Sequence, residues 1–168
     1  MFLVDVESDG PAPGIYNMVC FGVVEYTTRK SFYGQTAPIT SKYIPEALAI
    51  SGFSRADHEK FPHHSDVMRN LRDWLKSFGN RSVFISDNPA FDFQWMSYYF
   101  ALNDMENPFG FSGRRIGDFF AGANGNWRDA TSWKKLRRTT HTHHPVDDAQ
   151  GNAEALEAIG KKFNIKIA

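Results

Sequence analysis

Apolar and polar positions alternate over residues 2–7 (FLVDVE). Phe2, Val4 and Val6 share one side and Leu3, Asp5 and Glu7 the other, the period of a strand whose two faces differ. The SDGPAPG run at 8–14 is turn chemistry and ends that strand. Residues 17–26 (NMVCFGVVEY) and 30–35 (KSFYGQ) are rich in β-branched and aromatic side chains, with a short polar turn at Thr27–Arg29 between them. Three strands with such short connectors predict an antiparallel meander. The period then lengthens. Pro45 to Ile50 reads as a short helix closed by Gly52, and in 64–78 Val67, Leu71, Trp74, Leu75 and Phe78 recur at helical spacing, with Gly79 placed as a C-cap. SVFIS (82–86) is a short apolar strand, followed by an aromatic-rich helix from Phe91 to Leu102. Beyond a loop at Asn107-Pro108 come a short strand near Arg115–Ile116 and a helical turn at 118–121. The last element is an Ala-rich helix over 147–162, with Ala149, Ala153, Leu156, Ile159 and Gly160 on one side. A meander followed by strand–helix alternation predicts a mixed sheet covered by helices, α/β in class.

Composition narrows the class without naming a function. With 168 residues and no repeat, linker or low-complexity tract, the chain is expected to be one domain, 1–168. Its 19 basic and 19 acidic residues cancel, which argues against a histone-like coat for nucleic acid but leaves room for a local basic groove. One cysteine, Cys20, excludes an intramolecular disulfide framework and suits a reducing compartment. The N-terminus has no basic region, and no stretch approaches the roughly 18 apolar residues that span a bilayer, so a cytoplasmic chain with no membrane partner is expected. Aromatic residues reach 15%, enough for a large core or for a surface that stacks on bases.

Three segments carry candidate chemistry. Asp5 and Glu7 leave the same face of a strand about 6.5–7 Å apart, within reach of one divalent ion or of two adjacent ones. A buried strand would not carry two such charges without cations to meet them, though an exposed edge strand would. SDNPAFD (86–92) puts Asn88 and Asp92 at a strand-to-helix junction, where α/β sheets build sites, and where an Asx turn and N-cap would also use them. HTHHPVDDAQ (141–150) sets His143 five residues before Asp148, so that a loop histidine can stand over a helix carboxylate. Three histidines in four positions also raise a zinc site, but no cysteine is near and the spaced second ligand pair is missing.

Taken in order, Asp5-x-Glu7, Asn88-x-x-Phe91-Asp92 and His143-x4-Asp148 resemble the motifs of the DEDDh exonuclease superfamily, whose members have the ribonuclease H-like fold and are also called DnaQ-like. DVESDG resembles that family's Asp-x-Glu-Thr-Thr-Gly, and ALAISGF (47–53) resembles its Ala-Leu-x-Val-Asn-Gly-Leu/Ile segment. Asp118 sits where the family often has an Asp-Thr pair. NPFGFSGRRIGDFF and HTHHPVDDAQGNAEAL look most like the short bacterial and phage exoribonucleases akin to the mycobacterial AS-type enzyme. The resemblance runs from Leu3 to about Ala158. Ser8 and Asp9 replace the usual threonines, and Pro145 replaces the alanine after the histidine triplet; neither change removes a ligand.

The resemblance implies a mixed five-stranded sheet, antiparallel meander plus parallel strands, flanked by helices. It implies two Mg²⁺ or Mn²⁺ ions, held by Asp5, Glu7, Asp92 and Asp148, for phosphodiester hydrolysis from a 3′ end. Two such ions about 3.5–4 Å apart align a hydroxide and neutralise the phosphate, and both prefer oxygen ligands. His143 is then the general base, because an imidazole with a pKa of about 6.5 can take a proton at neutral pH; His144 fits that role only if the register slips by one. Phe53 and Phe91 match positions where relatives stack terminal bases, and Ser8 and Asn88 lie beside the 3′ nucleotide. Segment 127–138 holds Arg128, Lys134, Lys135, Arg137 and Arg138 against the single acid Asp129, and either guides a phosphate backbone or is a solvated helix face. By analogy the substrate is single-stranded RNA, favoured over DNA, and relatives that pair suggest a homodimer. The rival readings are a DNA-trimming exonuclease, a binding module that has lost catalysis, and an endonuclease of the ribonuclease H type.

Overall fold

The computed structural model describes residues 1–79 and 81–168. Strands β1 (Phe2–Ser8), β2 (Met18–Glu25) and β3 (Ser31–Gln35) form the expected meander, and β4 (Phe84–Ser86) and β5 (Gly113–Arg115) complete a five-stranded sheet in the order β3-β2-β1-β4-β5. β1 lies at its centre, antiparallel to β2 and parallel to β4. Six α-helices among the described residues surround it: α1 (Pro45–Ile50), α2 (Arg55–His58), α3 (His64–Lys76), α4 (Pro89–Leu102), α5 (Ile116–Ala123) and α6 (Pro145–Phe163). None is long and apolar enough to cross a membrane.

The alternation in β1 decides which helix meets which side chain. Phe2, Val4 and Val6 bury against Met68, Leu71 and Leu75 of α3 and Trp95, Met96 and Tyr99 of α4. Leu3 faces the other way, onto Ile116, Phe120, Trp133 and the small-residue side of α6 (Ala149, Ala153, Leu156, Ile159). Asp5 and Glu7 continue the Leu3 row, so both carboxylates point toward the layer that contains α6. Gly22, opposite Asp5 in the β1–β2 register, allows that layer to close. A Cβ at Gly22 would lie 2.3 Å from the carbonyl carbon of Pro145, the first residue of α6.

Several element boundaries differ from those read off the sequence. α4 begins at Pro89 and α6 at Pro145, each two residues before the expected start. Proline is tolerated at the first helical position because its missing N–H would be unpaired there anyway. The apolar period shows only further in. α2 lies outside the expected elements: it is too short to carry a period, although Ser54 and Asp57 form a capping box around it. α3 stops at Lys76 with Ser77 as C-cap, and Gly79 follows at φ 112°. β5 ends at Arg115, α5 runs 116–123, and the basic segment contains a 3-10 helix over 132–136.

Candidate active site

β4 is only three residues long and pairs with Phe2 and Leu3 alone, which leaves the second half of β1 without a strand on that side. The notch so formed lies where the sheet switches from antiparallel to parallel pairing, at the C-terminal end of β1, the place where open α/β sheets hold ligands. Asp92, in the first turn of α4, fills its floor. It is buried, and its Oδ1 accepts from the Val6 N–H at 3.2 Å, a donor that a longer β4 would have taken.

Asp5, Glu7 and Asp148 converge above it. Each offers an oxygen within 4.8 Å of the others. Asp148 is 2% exposed, and the loop before α6 folds over it. Its Oδ1 accepts from the Thr142 N–H (3.2 Å) and its Oδ2 from the His143 N–H (3.1 Å), which turns the backbone at His143 to φ 60°. That left-handed turn puts the half-exposed His143 ring at the mouth, with Nδ1 3.7 Å from Glu7 Oε1. The His144 ring points elsewhere, stacked on Tyr33 at 5.0 Å. Of the two histidines weighed as base, only His143 faces the carboxylates.

The electrostatics follow from crowding like charges in a dry place. Burial, and then the carboxylates of Asp92, Glu7 and Asp148, push Asp5 well above the ordinary carboxylate value, with Arg137 pulling the other way. Burial, then Asp148, raises Glu7 to about 7, and burial raises Asp92 to about 7. Such a cluster is stable when protonated or when a cation sits among its oxygens. The donors are carboxylate oxygens on three separate elements with no thiolate, the set that hard divalent cations prefer. The residues fit a divalent metal.

The remaining expected contacts divide. Phe53 is half-buried, edge-on to Phe61 at 4.9 Å, and lines a cavity of about 140 Å³ together with Tyr33, Ser51, His143 and His144. Phe91 is half-buried on α4, edge-on to Trp95 at 6.2 Å. Asn88 is the N-cap position of α4, yet its exposed side chain makes no cap hydrogen bond and is free to turn toward a ligand. The Ser8 hydroxyl donates to the Gly10 carbonyl at 2.7 Å, where a bulge between Glu7 and Ser8 starts the next turn. Asp118 pairs with Arg115 at 2.8 Å and stands apart from the carboxylate cluster.

Four features lie beyond the sequence reading. His141 has Nδ1 2.7 Å from Asp148 Oδ1. Gly22 admits α6, and an isolated glycine inside a strand pattern is itself the signal of such a close approach. Asp9, fully buried, accepts from the Asn17 backbone N–H (2.7 Å) and side-chain amide (2.6 Å) and pairs with Arg55 (3.3 Å). That network ties the end of β1 to α2 and to the segment that carries Phe53. Arg137, whose charge reaches Asp5, has nothing in the sequence to set it apart from the other clustered basic residues.

No protein-family model matches the chain. Among curated proteins it is 30% identical over 168 residues to the 3′-5′ DNA exonuclease Cap18 of Escherichia coli, an alignment that covers 94% of this chain and 90% of that protein. Among solved structures it resembles the nuclease domain of 3′hExo, described as a DEDDh family member bound to rAMP, with a TM-score of 0.72, 14% identity, and 99% and 96% of the two chains covered. It also resembles E. coli ExoI in a complex with single-stranded DNA, with a TM-score of 0.74 and 15% identity over 96% of this chain and 40% of that one. At such identities these two likenesses speak for the fold, which is the ribonuclease H-like arrangement expected from the motifs. The extent of identity with an exonuclease over nearly both full lengths decides the rest: the chain belongs to the DEDDh 3′-5′ exonuclease superfamily.

Proposed function

We infer that the chain shortens single-stranded nucleic acid from the 3′ end, one nucleoside 5′-monophosphate at a time, with two Mg²⁺ or Mn²⁺ ions. The observation that carries this reading is the convergence of Asp5, Glu7 and Asp148 within 4.8 Å at the end of β1, with the His143 ring beside Glu7. Residues 1–168 act as one domain in this reading, supported by Met1 and Ile167 packing on the same core beneath the sheet.

Asp5, Glu7 and Asp148 would hold one ion and Asp5 with Asp92 the other. When bound, the ions supply neutralisation of the phosphate and leaving oxygen and ease the making of a hydroxide nucleophile. The protein's own groups do the rest. His143 accepts the proton of the attacking water at a ring nitrogen, from a loop fixed by the hydrogen bonds of residues 142–143 to Asp148. Phe53 stacks on the terminal base, a contact worth about 1–3 kcal/mol and available only when that base is unpaired. Asn88, with its amide free at the opposite lip, contacts the 3′ nucleotide, and Phe91 flanks the neighbouring base.

Substrate sugar is the finer question. Analogy from the sequence leans to RNA; the 30% relative is named for DNA, so single-stranded DNA comes first here and RNA second. The test is incubation of 5′-labelled single strands of each kind with Mg²⁺ or Mn²⁺, with and without EDTA, beside Asp148→Ala. Stepwise shortening that EDTA and the substitution both abolish supports the reading. Undiminished activity in EDTA would remove it.

A further inference from the structure

Beside the carboxylate notch, on the far side of His141, lies a second cavity of about 350 Å³. It is lined by Lys134, Arg137, Arg138, Thr139, Thr140 and His141: three cations, two hydroxyls, an imidazole and no carboxylate. Its two ends are anchored to the site already described. At one, the His141 ring rests on Asp148 at 2.7 Å. At the other, Lys134 Nζ lies 2.6 Å from Asp87 and Arg137 Nη2 3.7 Å from the same carboxylate, next to Asn88 at the lip of the notch.

The cavity is built rather than incidental. The Arg137 side chain is only 10% exposed, its guanidinium lies 4.9 Å over the Trp133 ring, and Nη2 donates to Asn152 on α6. Its Nε is buried with no hydrogen-bond partner. Glu154 fixes the loop itself, accepting from the Arg138 N–H (2.9 Å), the Thr139 N–H (2.8 Å) and the Thr139 hydroxyl (3.1 Å). One carboxylate, Asp87, is shared between two cations. Arg128 and Lys135 from the same basic run do not line the cavity.

We propose that this cavity is an anion subsite that receives a backbone phosphate of the bound strand, adjoining the phosphate that is cleaved, with Arg137 and Lys134 as its charged contacts. A phosphate here meets the Lys134 ammonium and the Arg137 guanidinium and offsets their excess of charge over the one Asp87 carboxylate they share. The His141 ring separates the cavity from the carboxylate cluster, so the group held here is not the one being hydrolysed. Out of a run of five basic residues, the fold thus brings three to the cavity, of which Arg138 has a carboxylate of its own in Glu154 at 3.9 Å. This inference rests on the exonuclease reading of the notch.

The test compares an oligodeoxynucleotide with the p-nitrophenyl ester of thymidine 5′-monophosphate, which offers only the phosphate to be cleaved. Lys134→Ala and Arg137→Ala should each lower kcat/KM on the oligomer by about tenfold, mainly through KM, and by much less on the ester. The slope of log(kcat/KM) against log salt should shrink by about 0.7 for each phosphate that the variant no longer neutralises. Lys135→Ala, outside the cavity, should match wild type on both substrates. Arg137 is buried and its alanine variant could misfold, so Lys134→Ala, at a half-exposed side chain, carries the test alone if needed. Equal losses on oligomer and ester would overturn the proposal, as would no loss on the oligomer. Fluorescence anisotropy of the oligomer in EDTA keeps the two readings apart. A wild type that hydrolyses neither substrate yet binds the oligomer more tightly than Lys134→Ala does would sink the exonuclease reading and leave the subsite standing.

Discussion

Removing the metal should make this protein lose stability as the pH rises, and the loss should trace to the carboxylate cluster. Burial and the neighbouring Asp148 hold the folded-state pKa of Glu7 at about 7, against 4.5 ordinarily. Between those two values the folded chain keeps the proton that the unfolded chain has released, so stability falls with rising pH across that window. The Glu7 side chain is only 14% exposed, so solvent screens little of the effect. At about 1.4 kcal/mol per pH unit, Glu7 alone accounts for about 3 kcal/mol, a large part of the roughly 5–15 kcal/mol that holds a domain folded. Asp92, raised from 3.8 to about 7, and Asp5 act in the same sense. His58 and His64, whose burial holds them below 6.5, act in the opposite sense, gaining stability as pH rises. The informative quantity is therefore the difference between wild type and Glu7→Gln, in which position 7 stays neutral. In EDTA, thermal melts from about pH 5 to about pH 8 should show the wild-type midpoint falling, relative to the variant, by roughly 6–12 °C. Mg²⁺ should raise the wild-type midpoint at the upper end and raise the variant's less. Parallel midpoints of the two proteins across that range would refute the reasoning.

Other outcomes follow from the same geometry. Asp5→Ala, Asp92→Ala and Asp148→Ala should each abolish hydrolysis while circular dichroism keeps the wild-type spectrum, and Mn²⁺ titration calorimetry should show weakened binding. His143→Ala should lose about 10²–10⁴-fold in rate and still bind metal, whereas His144→Ala, with its ring on Tyr33, should lose little; exchanged behaviour would mean the wrong histidine is assigned. Gly22→Ala puts a Cβ 2.3 Å from the Pro145 backbone, so it should destabilise the fold by about 1–3 kcal/mol in denaturant melts and depress turnover by lifting α6 and Asp148 away from β1. Unchanged turnover in that variant would show that the α6 approach does not govern the site.

Strand alternation made the central fact legible: with Phe2, Val4 and Val6 on one side, Asp5 and Glu7 had to share the other with Leu3, and that is the α6 side. The meander, the sheet class and the order of the motifs followed from local pattern because each depends on neighbours in sequence. Helix starts did not, since Pro89 and Pro145 carry no apolar period and only a capping argument would have reached them. The His141 contact with Asp148 depends on a left-handed turn at His143, a conformation that residues with side chains rarely adopt, so spacing alone could not show it. Which basic residues face the site was equally hidden. The 3-10 turn over 132–136 and the packing of Arg137 on Trp133 make that choice, and both are tertiary. The bond from the Ser8 hydroxyl to the Gly10 carbonyl was hidden too, because it depends on the bulge after Glu7.

Everything proposed for the notch requires that a free 3′ end enters it and is cut there first. One gel tests this most directly, with a 5′-labelled single strand ending in either a 3′-hydroxyl or a 3′-phosphate, incubated with Mn²⁺ over a time course. The hydroxyl-ended strand should shorten stepwise from its 3′ end, and the phosphate-ended strand should resist, because added charge meets Glu7 and its neighbours where a hydroxyl fits. Equal degradation of both strands, or internal fragments that precede any ladder from the 3′ end, would contradict it.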